Sequence, residues 1–204
     1  DLQACGVMVD TVRCNVGDPA EQVRLFGSLR SGLGLLRGVW HTAGVLRDSV
    51  FTRQSARTLC DVFAPKAIGA SWLHRCAANA ALDAFVLFSS TAALLGSPGQ
   101  ANYGAANGCL DTLAQLRNLY GLGATAVQWG PWAEIGMAAA SAISNRMRDA
   151  GITLIAPAAG LEALAAAIQT PAFPVLTMFP VDWDRFLVAG HSPLLSAFAP
   201  PEMR

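Results

Sequence analysis

The sequence is short of charge. Only 14% of its 204 residues are charged, and its 14 basic side chains are balanced by 14 acidic ones, so the formal net charge is zero. A charge-poor chain that is 53% hydrophobic is not a disordered segment, because it can bury a large core. A neutral chain also lacks the long-range field that attracts nucleic acids or anionic membranes. We therefore expect one folded domain, or part of one, with neither kind of partner.

Cysteine pairs and targeting segments are missing too. No Cys-x-x-Cys pair occurs, and no histidine stands at metal-ligand spacing, so we expect no disulfide framework and no metal site. We interpret the five cysteines as small buried side chains of a reduced, cytoplasmic protein. No signal-peptide pattern is present, and no apolar run approaches the ~18 residues that a membrane span needs. The cysteines are Cys5, Cys14, Cys60, Cys76 and Cys109.

Apolar runs of strand length alternate with stretches of helical period. This alternation is typical of βαβ units and predicts a doubly wound, Rossmann-like α/β fold with a parallel sheet. Ligands of such folds bind at the carboxyl ends of strands, which here precede the loops after Gly44, Ser90 and Gly130. Strands are predicted at 7–16, 36–44, 83–90, 124–130 and 174–183, and helices from Pro19 to about Leu29, at 52–62, at 64–79, at about 100–121 and twice more before the last strand.

Gly32, Gly34 and Gly38 resemble a phosphate-binding loop. The dinucleotide fingerprint requires glycines that follow a strand and open a helix, so that the helix amides face the pyrophosphate. Here the glycines follow a predicted helix and precede a predicted strand, so we interpret them as a helix-ending connection. No other glycine-rich loop stands upstream of them.

Ser90, Tyr103 and Asn107 form the strongest catalytic signal. Tyr103 follows Ser90 by 13 residues (103 − 90), and Asn107 follows Tyr103 by 4, which puts Tyr103 and Asn107 on one helix face. Tyrosine, with an ordinary pKa of about 10, is a poor acid at neutral pH unless a cation stabilises its ionised form. Lysine is scarce here. Lys66 lies in an apolar helix, either as a surface residue with a buried stem or as a lysine held inside for function.

These residues resemble the ketoreductase domains of modular polyketide synthases and animal-type fatty acid synthases, within the short-chain dehydrogenase/reductase superfamily. The similarity runs through HTAGVLRD at 41–48, the Lys66 helix, residues 86–111, WGPWAEIGM at 129–137 and VDW at 181–183. Ordinary members carry Tyr-x-x-x-Lys, whereas this chain has Tyr103-x-x-x-Asn107 with the lysine upstream, as the synthase ketoreductases do. The resemblance implies one catalytic domain over residues 1–204, without the first strand and glycine-rich loop, with a core to about 190 and a tail at 191–204.

The resemblance implies four catalytic residues and NADPH as cofactor. Tyr103 is expected to protonate the forming alkoxide and Ser90 to hydrogen-bond the ketone oxygen. Lys66 is expected to lower the pKa of Tyr103 and to bind the nicotinamide ribose, and Asn107 to order the helix and a proton-relay water. The expected cofactor contacts are Asn15, Val16, Ala43, Gly44, Lys66, Tyr103, Gly130, Pro131 and Trp132. Asn15 stands where the family usually has Asp. Core packing is the alternative for Trp132, and it is the favoured interpretation for Trp129.

The resemblance also implies a stereochemical type. Leu46-Arg47-Asp48 matches the Leu-x-Asp of ketoreductases that give the D-configured alcohol, although their middle residue is usually Asp. The alternative for Asp48 is an ordinary helix N-cap. The other positions assigned to substrate and stereocontrol are Leu95, which stands where the opposite class has Trp, Pro98, Asn102 and Met137, the last in the lid.

The activity implied by the resemblance is NADPH-dependent reduction of a β-ketoacyl thioester on the phosphopantetheine arm of an acyl carrier protein. Neighbouring synthase domains or another segment are the expected source of the missing strand. The alternative is a non-catalytic fragment or scaffold that binds no NADPH by itself, because the glycine-rich loop is absent. A free-standing alcohol dehydrogenase is disfavoured by the upstream position of Lys66.

Overall fold

Four parallel strands form the centre of the molecule. The computed structural model describes residues 5–32, 35–133, 145, 147–169, 173–189 and 193–199. Within them, the strands lie in the order β1-β2-β3-β4, and each pairs in parallel with its neighbour. Their bounds are β1 Gly38–His41, β2 Ala84–Ser90, β3 Thr125–Trp129 and β4 Val175–Met178. The predicted α/β fold with a parallel sheet is confirmed.

Helices connect the strands. They are α1 Pro19–Gly32, α2 Ala56–Phe63, α3 Gly69–Cys76, α4 Ala92–Leu95, α5 Ala101–Leu119, α6 Pro157–Gln169 and α7 Trp183–Ala189, with short 3₁₀ helices at Phe51–Arg53 and Pro193–Phe198. The first begins as predicted, since the Asp18 carboxylate accepts a hydrogen bond from the Ala20 amide at 2.8 Å. A π-helical turn, Ala64–Ile68, joins α2 directly to α3. The helices predicted at 52–62 and 64–79 are therefore one continuous rod over residues 56–76.

Core side chains cover both faces of the sheet. Phe85 and Leu87 of β2 pack with residues of α1, α3 and α5, whereas the intervening Val86 packs with β3 and α6. Because β2 and β3 are covered on both sides, their sequences are continuous apolar runs instead of alternating ones. Gly32 ends α1 and Gly38 begins β1, which agrees with the helix-ending interpretation of these glycines; Gly34 lies outside the described residues.

The strand predicted at residues 7–16 is wrong. The segment is exposed, with 89% of Met8 accessible, and it pairs with none of the described strands. Its end is fixed to the helical rod, because Gln22 Nε2 donates to the carbonyls of Val16 and, at 3.0 Å, Gly69. Strand formation requires a neighbour for the backbone groups, so an apolar composition alone does not produce it.

Three smaller expectations also need correction. The strand predicted at 174–183 ends at Met178, shortly before Pro180, which has no amide proton for a ladder. Cys5, Cys60 and Cys109 are exposed, so the cysteines are not the buried side chains expected; all five are free thiols. Residues 193–199, predicted as part of a tail, pack on α7, because Leu195 and Ala199 are buried against Leu187.

No helix in the described part of the chain is both long enough and apolar enough to cross a membrane. The same residues contain no cluster of three or more His, Cys, Asp and Glu side chains arranged to hold a metal ion.

Candidate active site

The predicted catalytic residues meet at the carboxyl ends of β1, β2 and β3. His41 at the end of β1 is aligned with Leu87, and Ser90 at the end of β2 is aligned with Trp129 at the end of β3. The loops that begin at these ends therefore leave the same edge of the sheet, as expected for a parallel fold. The first turn of α5 brings Tyr103 to this edge.

Tyr103 is held in an apolar environment. It is 8% exposed and packs with Val62, Ala92 and Ala106. Burial raises the pKa of its phenol, hydrogen bonds from Asn107 and Ser90 oppose the shift, and the charge of Asp48 adds to it. The net shift of the Tyr103 pKa is upward, because loss of hydration outweighs the favourable contacts, and the expected lowering by Lys66 stays a prediction.

Lys66 is the only lysine of the chain, and it is held inside. It is 3% exposed, and its Nζ donates to the Phe88 carbonyl of β2 at 2.9 Å and lies 5.3 Å from the centre of the Tyr103 ring. Burial lowers the pKa of the ammonium to about 8, against the opposing charge of Asp111. Lys66 is therefore an internal residue and not a surface one, whereas its functional role stays a prediction.

His41 and Gly44 fix Lys66 from the side of β1. The imidazole Nε2 of His41 lies 3.1 Å from the Lys66 carbonyl, which only accepts, so Nε2 carries the proton and donates. Burial lowers the pKa of His41 to about 4, which keeps the ring neutral. A Cβ on Gly44 would lie 2.8 Å from Lys66 Cε, so only glycine leaves room for the lysine stem.

Asn107 orders the start of α5. It is fully buried, and its Nδ2 donates to the Tyr103 carbonyl at 2.8 Å. Its Oδ1 has no hydrogen-bond partner among the described residues. Ser90 Oγ accepts from the Ala92 amide at 3.2 Å, which holds that hydroxyl at the end of β2.

The loop at 46–49 is attached to the segment before Tyr103. Leu46 packs in the Tyr103 cluster. Asn102 Nδ2 donates to the Arg47 carbonyl at 2.9 Å, and Gln100 Nε2 donates to Asp48 Oδ2 at 3.1 Å. Asp48 is not a helix N-cap, since Val50 and Ser55 occupy those positions in the helices that follow. The loop therefore borders Tyr103.

The remaining positions assigned to stereocontrol are more scattered. Leu95 packs in a different cluster, with Leu187 and Leu195, and Pro98 is exposed. Met137 lies outside the described residues. The structure thus brings Leu46, Asp48 and Asn102 together and separates Leu95 from them.

The positions assigned to the cofactor fall into two groups. Ala43, Gly44 and Gly130 lie at the sheet edge with the catalytic residues, and the Gly130 amide donates to Met178 O at 2.8 Å. Asn15 and Val16 form a turn against the helical rod, in which Asn15 Oδ1 accepts from the Gly17 amide at 3.1 Å.

Trp129 is a core residue, and the partly buried Trp132 packs beside it. Their ring centres are 4.9 Å apart, and both belong to the cluster under α6. A Cβ on Gly160 would lie 2.3 Å from the Trp132 ring, so this indole fills the space beside the helix. The neighbouring Pro131 carbonyl accepts from the Ile155 amide at 2.8 Å. The core-packing interpretation is confirmed for Trp129, and the assignment of the partly buried Trp132 to the cofactor stays a prediction.

Two buried residues of the site were missed. His41 is the first residue of the HTAGVLRD motif, and its contact with Lys66 spans 25 positions, which no local pattern reveals. Asp111 was detectable, because it is an acid on an apolar helix at a spacing of four from Asn107.

Comparison with known proteins identifies the family. The KR domain profile matches residues 1–134. Polyketide synthase GfsB of Streptomyces halstedii is 41% identical over 189 residues, which are 93% of this chain and 3% of that protein. Polyketide synthase GfsA of the same organism is 42% identical over 201 residues, which are 97% of this chain and 3% of that protein.

Solved ketoreductases share the fold. PlmKR1, a ketoreductase from the first module of phoslactomycin biosynthesis in Streptomyces sp. HK803, superposes with a TM-score of 0.93 at 35% identity over 98% of this chain and 47% of its own. An A-type ketoreductase from a modular polyketide synthase gives 0.85 at 34% identity over 92% and 39%. The chain spans less than half of these structures and a small fraction of the synthases. It belongs to the KR domain family, the ketoreductases of short-chain dehydrogenase/reductase type found in modular polyketide synthases.

Proposed function

We propose that this chain reduces the β-ketone of an acyl thioester carried by an acyl carrier protein, with NADPH as reductant, to the D-configured β-hydroxyacyl thioester. The observation that carries the proposal is the buried Lys66 ammonium beside Tyr103, at the sheet edge that also presents Ser90. Burying the only lysine of a chain beside a buried phenol is costly for folding, and such costs are characteristic of functional sites.

The nicotinamide end of the cofactor fits this edge. An ammonium has three N–H donors, and among the described residues only the Phe88 carbonyl accepts one from Lys66. The other two suit the neighbouring hydroxyls of a ribose. Ala43, Gly44 and Gly130 would lie beside it with little side-chain bulk, whereas Asn15 and Val16 are assigned to the adenine end. NADPH supplies the hydride that the ketone carbon receives.

Tyr103 acts as the general acid. Because burial raises the pKa of the phenol, Tyr103 keeps its proton at neutral pH and has it available for the ketone oxygen. Ser90 donates a second hydrogen bond to that oxygen, where negative charge develops in the transition state. Once the proton has left, the Lys66 ammonium stabilises the tyrosinate, and Asn107 keeps the first turn of α5 in position through the Tyr103 carbonyl.

The D configuration is supported by the loop at 46–49. The hydrogen bonds of Asn102 with the Arg47 carbonyl and of Gln100 with Asp48 hold this loop beside Tyr103. Leu46 contributes an apolar surface there. A wall on one side of the tyrosine restricts which face of the ketone meets the reductant, so the configuration of the alcohol depends on this loop.

Tyr103→Phe tests the proposal, with Tyr120→Phe as the matched control. Tyr120 is the only other tyrosine, and it is 72% exposed. NADPH oxidation is followed with a β-ketoacyl thioester as substrate. We expect Tyr103→Phe to lower kcat by about a hundredfold or more and Tyr120→Phe to leave it unchanged. Undiminished turnover by Tyr103→Phe contradicts the mechanism.

NADPH binding separates the proposal from the scaffold alternative. Fluorescence titration of NADPH with this chain measures the dissociation constant directly. Binding in the micromolar range rejects a scaffold that cannot bind the cofactor by itself. The scaffold alternative is favoured for the isolated chain if NADPH does not bind and activity is regained only when the adjoining residues of a longer synthase are included.

A further inference from the structure

A buried carboxylate lies on the catalytic face of α5. Tyr103, Asn107 and Asp111 follow one another at intervals of four residues, so one side of the helix carries all three. Asp111 is 8% exposed. Its Oδ2 accepts a hydrogen bond from Gln128 Nε2 on β3 at 2.8 Å, and Gln128 Oε1 accepts from Thr177 Oγ1 on β4 at 2.7 Å. Two strands of the sheet therefore hold the carboxylate in one orientation.

Gln128 does not satisfy Asp111 fully. The second carboxylate oxygen, Oδ1, has no hydrogen-bond partner among the described residues. Burial raises the pKa of Asp111, whereas hydrogen bonds from Ser89 and Gln128 and, after them, the positive charge of Lys66 act in the opposite direction. An ionised carboxylate inside a protein is very costly unless a positive charge compensates it. An ionised Asp111 therefore needs a cation nearby.

Lys66 lacks a directly bound negative partner among the described residues. Its buried ammonium donates to a neutral carbonyl, and neither of the described salt bridges, Arg37–Asp83 and Arg47–Asp61, includes it. Asp111 is the one acid whose charge raises the pKa of Lys66. Charges interact over several ångströms when little water lies between them, so a direct salt bridge is not required.

The other titratable groups around Lys66 do not supply this charge. His41 of β1 is neutral, and Tyr103 of α5 keeps its proton. On the rod, Asp61 pairs with Arg47 at the surface, and Arg75 lies over the Trp72 ring. His74 is hydrogen-bonded to Arg117 at 2.8 Å.

We propose that Asp111 is the counter-charge of Lys66, a positioning residue that keeps the ammonium protonated and available beside Tyr103. Asp111 acts through Lys66 and touches neither substrate nor cofactor. The geometry places both groups at the same strands, since Lys66 Nζ donates to the Phe88 carbonyl of β2, and Gln128, which is aligned with the adjoining Ser89, donates to Asp111. The effect of Asp111 on turnover rests on the proposed function. Gln128 and Thr177 act indirectly, because their hydrogen bonds fix the orientation of the Asp111 carboxylate.

The single lysine makes the coupling measurable. Lysine labelled with ¹³Cε and ¹⁵Nζ gives one side-chain signal in this chain, and its titration reports the pKa of Lys66 without any assay of activity. From about 8 in the wild type, we expect Asp111→Asn to lower this pKa by about one unit. Asp83→Asn removes the same charge from the exposed Arg37–Asp83 pair and is expected to leave the pKa of Lys66 unchanged.

Turnover supplies a second readout. If the pKa of Lys66 falls from about 8 to about 7, the protonated fraction at about pH 7.5 drops about threefold, and kcat drops with it. Activity returns at about pH 6, where both forms are protonated. If the role of Asp111 is purely structural, Asp111→Asn lowers kcat by the same factor at every pH. The pH at which kcat begins to fall is then the same as in the wild type.

The outcomes are decisive in either direction. An unchanged or raised pKa of Lys66 in folded Asp111→Asn overturns the proposal. If that variant does not fold, the ¹³C titration of the wild-type Asp111 carboxyl decides: a carboxyl that is ionised at pH 7 and responds to the titration of Lys66 supports the proposal, and one that is still protonated at pH 7 overturns it. If the pKa of Lys66 depends on Asp111 but the chain reduces no ketone, only the proposed function is rejected. If the chain reduces the ketone but the pKa of Lys66 does not depend on Asp111, only the role of Asp111 is rejected.

Discussion

Lys66 Nζ lies over the Tyr103 ring at 5.3 Å from its centre, although the two residues are 37 positions apart (103 − 66) and belong to different helices. A cation above an aromatic face is attracted to it, which partly offsets the cost of burying the ammonium. The contact exists only when the rod of residues 56–76 has docked on α5. Docking of the rod on α5 therefore brings Lys66 and Tyr103 together.

The pH dependence of turnover is expected to report Lys66. Its pKa is about 8, so the ammonium is mostly protonated at neutral pH and loses its proton as the pH rises through that value. We expect kcat to fall above about pH 8 by about tenfold per unit. A pH–rate profile measured at saturating substrate and NADPH checks this. A flat profile up to about pH 9.5 contradicts it, because Tyr103 titrates higher.

Replacing His41 is expected to change how stability depends on pH. Its pKa is about 4 in the folded chain and about 6.5 when unfolded, so unfolding takes up a proton between these values. The free energy of unfolding therefore falls as the pH drops through this window, by about 3 kcal/mol at its lower end.

His41→Gln removes this titration while retaining an amide donor for the Lys66 carbonyl. Urea unfolding of both proteins at about pH 7 and about pH 4.5 measures the difference. We expect the variant to lose less stability than the wild type between the two pH values. Equal losses contradict the buried, neutral histidine, because the other acids titrate alike in both proteins.

Gly44→Ala is expected to displace Lys66. The new Cβ would lie 2.8 Å from Lys66 Cε, which is closer than carbon atoms pack, so the lysine stem has to move. We expect kcat/KM for NADPH to fall about tenfold, since misplacement of a catalytic group by about 1 Å is costly.

The matched control is Gly108→Ala on α5, where a Cβ meets no atom within 4 Å. Alanine at a helical position is expected to stabilise the chain by up to about 1 kcal/mol and to leave the kinetics unchanged. Steady-state kinetics of both variants, with circular dichroism to confirm folding, make the comparison. Equal kinetics for the two variants reject the close contact.

Asn102→Ala is expected to reduce stereochemical fidelity. The variant loses the hydrogen bond to the Arg47 carbonyl, so the loop at 46–49 is held less firmly beside Tyr103, by the Gln100–Asp48 and Ser49–Gly99 hydrogen bonds alone. We expect a larger fraction of the L-configured alcohol, together with a lower kcat. Chiral chromatography of the reduced thioester measures the ratio.

Asp61→Asn provides the comparison for that loop. It breaks the exposed contact of Asp61 with Arg47, and surface ion pairs of this kind contribute little. Product configuration is expected to match the wild type. A shift as large as that of Asn102→Ala shows that the loop responds to any perturbation, and assigns no particular role to Asn102.

The sequence predicts the catalytic group better than it predicts its electrostatics. Tyr103 and Asn107 share a face because helical spacing is a local property, and the alternation of elements is enough to predict the sheet. The strand expected at 7–16 fails because pairing depends on a distant partner. The direction of the pKa shift of Tyr103 depends on whether burial or a cation dominates, and only the packed arrangement determines that.

The π-helical turn at Ala64–Ile68 makes the site sensitive to chain length. Such a turn contains one residue more than an α-helix needs for the same rise, and it carries Lys66 at its centre. Deleting one residue there restores regular α-helical winding, and the side chains of the turn then take new angular positions around the helix axis. Lys66 would then point in a different direction and lose its hydrogen bond to the Phe88 carbonyl of β2. We therefore expect the number of residues in this turn to be more tightly constrained than the types of residue that form it.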